Sequence, residues 1–550
     1  MKSKNKLIVI CLFLSIATTS IAIHEYQSIF PVFPIGSILV CLLLLGYYFS
    51  SKNKTRTIIL AIGISVVFKL LIHTFPASLV GLDPDLYAVW IRSVVDSGHL
   101  YGITDDFYSK APNFILLNAI FKIISDLGMR NSLLVFPFIL GVIPPLTAVI
   151  ITRDIVKIEK DTAVVLAALL TATLAMGLRY SYIPIAQSLG AAFWYVIIIL
   201  LLKFRQSDNR FVVLVILLLC AELYTHKLPP LVLVILITLI SLFEFAIKSK
   251  VENRSYSNLS IIVGFVSGVL LLLQWLYITP FISDLFGRLL AILTFGSTSI
   301  SNTLPEYRGA VRPVPRAFGT FLLMLSGIGL LLPSGISWVR LFVKRRQDWA
   351  VRVTLLAAAL LVGFMFFGIY GSIGPSGSSG GQPVRYVFLA EPILVGLVAA
   401  LTVEWGRKIN FKLVLYLALT LLIITQVFSI SATPDHPASS RIYLTEGEVT
   451  GKVHISEYTT EEVYADQYFL HETPPTHIGE NRGTYADISE PLLNRTLEKQ
   501  RFPYIAYRSD LSVYRTEFGS YRIQYNPESY LDRHYGKIYT NNEVTLYSGV

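Results

Sequence analysis

The sequence predicts a polytopic α-helical membrane protein with a small soluble domain at its C-terminal end. Hydrophobic residues make up 53% of the chain and charged residues only 15%, whereas a soluble protein carries about a quarter charged residues. The mean hydropathy is +0.60, and apolar runs of nearly membrane-spanning length recur along the chain. Such runs form transmembrane helices, because a helix satisfies its own backbone hydrogen bonds in lipid.

The distribution of Lys and Arg predicts the topology. Short basic clusters separate the apolar runs, and such clusters favour the cytoplasmic side of a membrane. Placing them all inside predicts thirteen transmembrane helices, with the N-terminus cytoplasmic and the C-terminus outside. These clusters also account for the net charge of +10, which therefore gives no indication of a nucleic-acid partner. The predicted spans are residues 7–23, 35–50, 57–75, 131–152, 162–178, 187–202, 211–225, 228–247, 258–278, 317–342, 350–370, 386–404 and 413–431.

One apolar segment, from Asn113 to Leu127, does not fit this alternation as a span. Counting it as a crossing would move every later basic cluster outside, so we predict a helix in or just above the outer interface instead. Residues 1–431 then form the bundle, with an outer catalytic loop at 76–130 and a second outer loop at 279–316. Residues 432–550 have no spanning run and alternate short apolar stretches with Pro and Gly. We predict that they form a mixed or β-rich extracytoplasmic domain.

Two carboxylates, Asp83 and Asp85, stand just after the third predicted span. The residues that follow have amphipathic helical spacing, which predicts that Asp83 caps a helix with Pro84 in its first turn. Capping alone would explain Asp83. The alternative is chemistry, because carboxylates at the rim of a span are costly and mark functional sites. An anionic oxygen in a partly dry cleft can act as a general base or bind a divalent metal.

Basic residues at the predicted outer boundary complement this acidic pair. The preference of Lys and Arg for the cytoplasmic side does not explain these residues. At the outer boundary, Lys and Arg suit a phosphate or pyrophosphate headgroup. The alternative is that they reach towards lipid phosphates without a specific role. Taken with two neighbouring tyrosines, the candidates are Arg179, Tyr180, His226, Lys227, Arg308, Arg312, Arg385 and Tyr386.

Three further polar residues fall inside predicted spans. Glu222 is an intramembrane carboxylate that either pairs with Lys227 or lines a cavity. Gln187 and Gln274 can hydrogen-bond between helices.

The arrangement of these elements resembles the GT-C superfamily of glycosyltransferases. An Asp-x-Asp element followed by Leu-Tyr opens the first large outer loop, and an outer domain ends the chain. The closing segment from Gly536 to Tyr547 is similar to the tails of archaeal members of the superfamily. Within the superfamily, the chain looks like the protein mannosyltransferase and aminoarabinose transferase type. The other elements that carry the resemblance are Tyr108 to Phe114, Arg179-Tyr180 and Arg385-Tyr386.

Two features depart from the pattern of the superfamily. Two spans precede the acidic loop, where many members have one. The chain also lacks a Trp-Trp-Asp acceptor motif of the kind found in catalytic subunits of oligosaccharyltransferases, which favours the transfer of a single sugar.

The resemblance implies an inverting, hexosyltransferase-type reaction at the outer face of the cell membrane. The donor would be a polyprenyl-phosphate-linked sugar, and the acceptor a glycan, a lipid or a protein. Asp83 and Asp85 would act as base or metal ligands, and the best matches to the phosphate contacts of the superfamily are Arg179, His226, Lys227 and Arg385. No cofactor is certain, although Mg²⁺ or Mn²⁺ is an open alternative. Two other functions stay open: a transporter or flippase of lipid-linked glycans, and a non-catalytic membrane scaffold with an outer binding domain.

Overall fold

Helices dominate the computed structural model. It describes residues 2–26, 28, 32–50, 53–155, 161–173, 183–204, 210–248, 259–279, 311–313, 317–344, 382–405, 420–422, 424–425, 428, 441–459, 461–466, 468–469, 485–497, 502–509, 511–516 and 519–549. The helices of the first 405 residues are α1 (Lys2–Tyr26), α2 (Val32–Ser50), α3 (Lys54–Thr74), α4 (Leu82–Ser97), α5 (Asp106–Lys110), α6 (Asn113–Ser125), α7 (Met129–Ser132), α8 (Val135–Ile150), α9 (Asp161–Thr173), α10 (Ala186–Phe204), α11 (Arg210–Leu223), α12 (Leu228–Lys248), α13 (Leu259–Leu273), α14 (Ala317–Lys344) and α15 (Gln382–Trp405).

The helices follow the apolar runs of the sequence. A helix occupies most of the described part of each predicted span except 350–370, which lies outside the described residues, and 413–431, of which only a few residues are described. The apolar stretches found in other helices, among the residues that the structure describes, are 10–17 residues long, so the number of thirteen crossings stays a prediction. Four described helices are long and apolar enough to cross a membrane, namely Asn5–Glu25, Lys54–Thr74, Met129–Arg153 and Gly327–Lys344.

Helix α6 lies where the sequence predicts an interfacial helix. It buries Phe114, Ile115 and Ala119 against the bundle. On its other side Ile123 and Ile124 are exposed. An exposed apolar face of this kind is typical of a helix that lies along a membrane surface.

The bundle packs helices closely around α3, α9 and α15. Helix α3 lies against α8 and α9, and α15 lies against α9 and α14. Gly141 of α8 allows a close approach, because a Cβ there would lie 2.7 Å from the Cα of Val66 on α3. Small residues at such crossings are the usual way in which membrane helices gain packing contacts.

Two buried ionisable side chains, on α3 and α15, influence one another electrostatically. The ammonium of Lys69 on α3 donates to the hydroxyl oxygen of Ser65 at 2.9 Å and to the carbonyl oxygen of Leu140 at 2.8 Å. It also interacts electrostatically with Glu391 on α15. Both side chains are buried. Opposite charges in a membrane interior stabilise one another where either alone would be costly.

Segments that were predicted to share one face of the membrane contact one another. Asn113 donates its backbone N–H to the carbonyl oxygen of Tyr224 at 3.0 Å. Gly81 donates its backbone N–H to the carbonyl oxygen of Ile442 at 2.8 Å. At the other end of the bundle, the hydroxyl of Tyr48 donates to the carbonyl oxygen of Thr162 at 3.4 Å. These contacts agree with the predicted alternation, while the orientation of the two ends in the cell stays a prediction.

The last part of the chain has mixed α/β structure. It contains helices α16 (Glu446–Tyr458), α17 (Ser489–Asn494) and α18 (Pro527–His534). A five-stranded sheet contains β2 (Val463–Ala465), β3 (Tyr485–Asp487), β4 (Tyr504–Arg508), β7 (Gly536–Thr540) and β8 (Val544–Ser548). Its order is β3-β2-β4-β8-β7, and β2 pairs parallel with β3 and β4. The remaining pairs are antiparallel.

A second sheet includes a strand from the predicted outer loop 279–316. Strand β1 (Val311–Pro313) pairs antiparallel with β6 (Gly519–Ile523), which in turn pairs with β5 (Val513–Thr516). A small β region therefore exists near the C-terminus, as predicted, and a strand from the bundle is part of it. The domain boundary at residue 432 stays a prediction.

A buried ion cluster lies at the end of β4. Arg508 is 1% exposed. Its Nε donates to Glu448 at 2.8 Å, and one terminal nitrogen donates to Asp466 at 3.1 Å. Burial alone would raise the pKa of Glu448, but the charges of Arg508 and Arg441 lower this pKa below its ordinary value. Glu448 is therefore held as an anion between two guanidinium groups.

The lowered pKa of Glu448 predicts an acid-sensitive C-terminal region. A carboxyl whose pKa is depressed in the folded state contributes stability above its unfolded value, about 4.3, and loses it as the pH falls through the folded value. We expect an unfolding temperature that is flat near neutral pH and falls below about pH 4.3. Circular dichroism melts across pH 3–7 would measure it. The variant Glu448→Gln should be less stable at neutral pH and should lose less on acidification; an acid response equal to that of the wild type would contradict the assignment.

The Lys69–Glu391 pair predicts a non-additive effect of substitution. Lys69→Met leaves a buried carboxyl without its cation, and breaking a buried pair in this way costs about 3–5 kcal/mol. The double variant Lys69→Met/Glu391→Leu should recover most of that loss. Thermal unfolding in detergent would measure the difference, and a double variant that is less stable than the single one would contradict the pairing.

Candidate functional site

The acidic helix α4 begins two residues earlier than the sequence suggests. Leu82 is its first residue, and Gly81 is the N-cap with φ 101° and no side-chain cap. The prediction that Asp83 caps this helix was therefore wrong, because Gly81 turns the chain with a backbone conformation that glycine adopts readily. Capping does not account for Asp83. Both carboxylates lie in the first turn, where the helix dipole stabilises negative charge.

The two carboxylates lie in different surroundings. Asp83 is exposed, whereas Asp85 is 1% exposed. Residues two positions apart on a helix do not share a face, so the two side chains diverge from the helix axis. One first-turn carboxylate is thus open to a substrate, and the other is enclosed by protein.

Aromatic side chains pack directly behind Asp83. The ring of Tyr87, one helical turn further on, lies 5.2 Å from that of Tyr108 and 5.0 Å from that of Phe114, between centroids. Trp90 lies 5.4 Å from Tyr87. Burial raises the pKa of Tyr87 well above its ordinary value, and Tyr108 and the carboxylates of Asp83 and Asp105 raise it further. The Tyr87 phenol therefore stays neutral beside the acidic helix start.

A further acidic residue of the same loop, Asp105, has a structural role. The carboxylate of Asp105 accepts hydrogen bonds from the backbone N–H groups of Phe107 and Tyr108, both at 2.9 Å. It is the N-cap of the short helix α5, which sets the position of Tyr108 in the aromatic cluster.

The turn between α11 and α12 carries the predicted cation Lys227. Helix α6 holds this turn, because Asn113 donates its backbone N–H to Tyr224 and its side-chain amide to the hydroxyl of Thr225 at 2.9 Å. The Nδ1 of His226 accepts a hydrogen bond from the backbone N–H of Leu228 at 3.1 Å. A satisfied ring nitrogen gives His226 a structural role in the turn.

The aromatic cluster connects this turn with the acidic helix. The ammonium of Lys227 lies 5.8 Å from the ring centroid of Phe107. Phe107 packs on Tyr108 at 5.2 Å, and Tyr108 packs on Tyr87. The structure therefore brings Asp83 and Lys227, which are far apart in sequence, to one aromatic cluster. An exposed carboxylate and a cation placed in this way can bind a hydroxyl and an anion next to each other.

The architecture matches solved structures of low sequence identity. The oligosaccharyltransferase AglB from Archaeoglobus fulgidus, solved with an inhibitory peptide and a dolichol-phosphate, superimposes with a TM-score of 0.51 at 14% identity, over 90% of this chain and 74% of that one. The chain has the fold of the GT-C glycosyltransferases. This confirms the predicted resemblance at the level of the fold. No family model and no curated protein sequence matches the chain.

Two other GT-C proteins are similar over most of this chain. ArnT from Cupriavidus metallidurans, bound to undecaprenyl phosphate, gives a TM-score of 0.47 at 13% identity, over 90% of this chain and 98% of that one. The arabinofuranosyltransferase AftD from Mycobacteria gives 0.48 at 12% identity, over 91% of this chain and 40% of that one.

The remaining predicted site residues fall into two groups within this GT-C fold. Arg179, Tyr180 and Arg308 lie outside the described residues. Arg312 lies in β1, where its register partner is Arg522 of β6, and Arg385 and Tyr386 lie near the N-terminal end of α15. Their roles stay predictions.

The polar residues of the spans meet near the Lys227 turn. Gln274 donates its amide to the carbonyl oxygen of Leu223 at 2.5 Å, which confirms its predicted interhelical hydrogen bond. Glu222 is 0% exposed, and neither of its oxygens has a hydrogen-bond partner, so no hydrogen bond joins it to Lys227. Both polar atoms of Gln187 also lack a hydrogen-bond partner.

A metal site at Asp83 and Asp85 is not preformed in the part of the chain that the structure describes. Within it, no group of three His, Cys, Asp or Glu residues lies close enough to hold a metal ion. A carboxylate pair that diverges from one helix does not supply the several converging oxygens that Mg²⁺ or Mn²⁺ requires.

Sequence reasoning missed the contact that fixes the start of α4. Besides the bond from Gly81 to Ile442, Leu444 donates its backbone N–H to the hydroxyl oxygen of Ser78 at 2.8 Å. The rings of Phe75 and Tyr443 meet edge to face, with centroids 5.5 Å apart. No local pattern marks this contact, because it joins segments more than 350 residues apart in the chain.

Proposed function

We propose that the protein is a membrane glycosyltransferase acting at the outer face of the cell membrane. It moves a sugar from a polyprenyl-phosphate-linked donor to a glycan, lipid or protein acceptor. The observation that carries the proposal is the aromatic cluster that joins the helix carrying Asp83 to the turn carrying Lys227 within a GT-C fold. The dolichol-phosphate in the similar AglB structure supports a donor of the polyprenyl-phosphate class.

The proposed reaction follows from the chemistry of these two groups. Asp83 accepts the proton of the acceptor hydroxyl while the hydroxyl oxygen attacks the anomeric carbon. The bond from that carbon to the phosphate oxygen breaks, and the phosphate leaves with the bonding electrons. Attack from the face opposite the phosphate inverts the configuration. Lys227 neutralises the charge that develops on the phosphate, and stabilisation of developing charge is usually the largest contribution to catalysis.

Asp85 has a supporting part in this proposal. Its burial removes it from the acceptor, so we assign it to holding the start of α4 in place next to Asp83. Metal ligation is the alternative. Assays with EDTA and with added Mg²⁺ or Mn²⁺ would decide whether a divalent metal takes part.

Replacing Asp83 tests the proposed base. Asp83→Asn keeps the size of the side chain but removes its basicity, and loss of a general base costs about 10²–10⁴-fold in rate. Purified protein, a panel of radiolabelled polyprenyl-phosphate sugars and a host membrane extract would measure transfer. Asp96→Asn is the matched control, because Asp96 is an exposed carboxylate in the last turn of the same helix and pairs with Arg92. Transfer by Asp83→Asn at the wild-type rate would remove this mechanism.

Replacing Lys227 tests the proposed phosphate contact. A hydrogen bond to a charged group contributes about 1.5–3 kcal/mol, so Lys227→Ala should weaken binding of the donor phosphate about 10- to 100-fold. Equilibrium binding of a polyprenyl phosphate would measure this. Lys122→Ala, at the far end of α6, should bind as the wild type does. Equal affinity in the Lys227 and Lys122 variants would exclude Lys227 from the donor site.

A transporter or flippase of lipid-linked glycans is the second candidate. The buried polar atoms of Glu222 and Gln187 without hydrogen-bond partners favour it, because a translocation path needs polar groups inside the bundle. Donor binding that depends on Lys227, with no transfer to any acceptor, would support the transporter. If neither binding nor transfer is found, the non-catalytic scaffold becomes the better description.

A further inference from the structure

Arg508 holds the segment that enters the C-terminal region. Beyond its bonds to Glu448 and Asp466, its second terminal nitrogen donates to the carbonyl oxygen of Tyr443 at 3.0 Å. Arg441, two residues before Tyr443, also pairs with Glu448. One buried cluster of charges therefore fixes the backbone of residues 441–445.

The same segment holds the loop that precedes the acidic helix. Its residues on either side of Tyr443 supply the contacts: the carbonyl of Ile442 accepts from Gly81, and the backbone N–H of Leu444 donates to Ser78. Ser78 and Gly81 are both buried. These are directional hydrogen bonds in a dry contact, so they fix the loop more strictly than apolar packing would.

Gly81 transmits this contact to the acidic helix. It is the N-cap of α4, and no side chain caps that helix start. Its φ of 101° sets the angle at which the chain turns into the helix. The position of Asp83, two residues later, therefore depends on the carbonyl oxygen of Ile442.

We propose that the Arg508 cluster and residues 441–445 form a clamp that positions the acidic helix. Arg508 and Ser78 are then positioning residues for transfer, and the C-terminal region is part of the reaction centre. This inference rests on the proposed function of Asp83 as the base. It predicts that loosening the clamp lowers the rate of the chemical step while donor affinity is unchanged.

Two variants loosen the clamp from opposite sides. Ser78→Ala removes the acceptor of the Leu444 N–H without disturbing the ion cluster. Arg508→Lys keeps the charge but cannot reproduce the donor fork that reaches Glu448, Asp466 and Tyr443 together. Lys537→Ala is the matched control, because Lys537 forms exposed ion pairs with Glu528 and Asp532 in the same region.

Hydrogen–deuterium exchange of the full-length protein in detergent measures the clamp independently of activity. Exchange in residues 78–86 should accelerate about tenfold or more in both clamp variants, because a local opening is favoured when its hydrogen bonds are lost. The control should exchange as the wild type does. Single-turnover transfer should slow by about the same factor in both clamp variants, with donor affinity unchanged, and the double variant should be no slower than the slower single one.

The two measurements separate this inference from the proposed function. Unchanged exchange in residues 78–86 in both clamp variants would overturn the clamp, whatever the transfer assay gives. Faster exchange with transfer at the wild-type rate would also overturn it. If wild-type protein transfers no sugar, the proposed function fails, and the role of Arg508 in transfer fails with it. Faster exchange of residues 78–86 in the clamp variants would then show that the clamp is a structural contact only.

Discussion

Burial of the Arg508 guanidinium is the constraint on which the geometry of the candidate site depends. A buried charge is tolerated only when its donors are paired, and Arg508 meets this with two carboxylates and one backbone carbonyl. The three partners come from separate parts of the C-terminal region, so pairing them fixes strand β4, helix α16 and the segment at Tyr443 relative to one another. That segment is in turn bonded to the loop before α4. The bundle and the C-terminal region therefore share a hydrogen-bonded contact just before the acidic helix.

The aromatic cluster serves a different purpose from the ion cluster. It connects the helix that carries Asp83 with the turn that carries Lys227 through packed rings. A carboxylate and a cation held by one cluster can act on different parts of a ligand. The neutral Tyr87 phenol at the centre of the cluster is compatible with both charges.

The sequence predicted the features that arise from local patterns. Apolar runs located the helices of the bundle, and a helix is present within the segment from Asn113 to Leu127, whose interfacial position stays a prediction. The prediction that Asp83 caps α4 was wrong, because Gly81 adopts a positive φ and is itself the N-cap, two residues earlier. Residue propensities do not indicate this earlier start. The contacts of Ser78 and Gly81 with residues 442–444, and the pairing of β1 with β6, are non-local and left no trace in sequence spacing.

Lys69 and Glu391 did leave a signal, since both are charged residues inside predicted spans, but only the structure shows that they interact.

The placement of buried polar groups bears on whether the bundle carries out chemistry or transport. A transport path needs polar groups that remain open to a ligand near the middle of the membrane. Lys69 does not meet this requirement, because Ser65, the Leu140 carbonyl and Glu391 engage its ammonium. Gln187, Glu222 and Gln274 instead occupy helix ends around the turn that carries Lys227, where Gln274 bonds to Leu223 and Gly190 approaches His226. Polar groups gathered at the end of the bundle that also holds the acidic helix suit a reaction centre open to one side of the membrane better than a path through it.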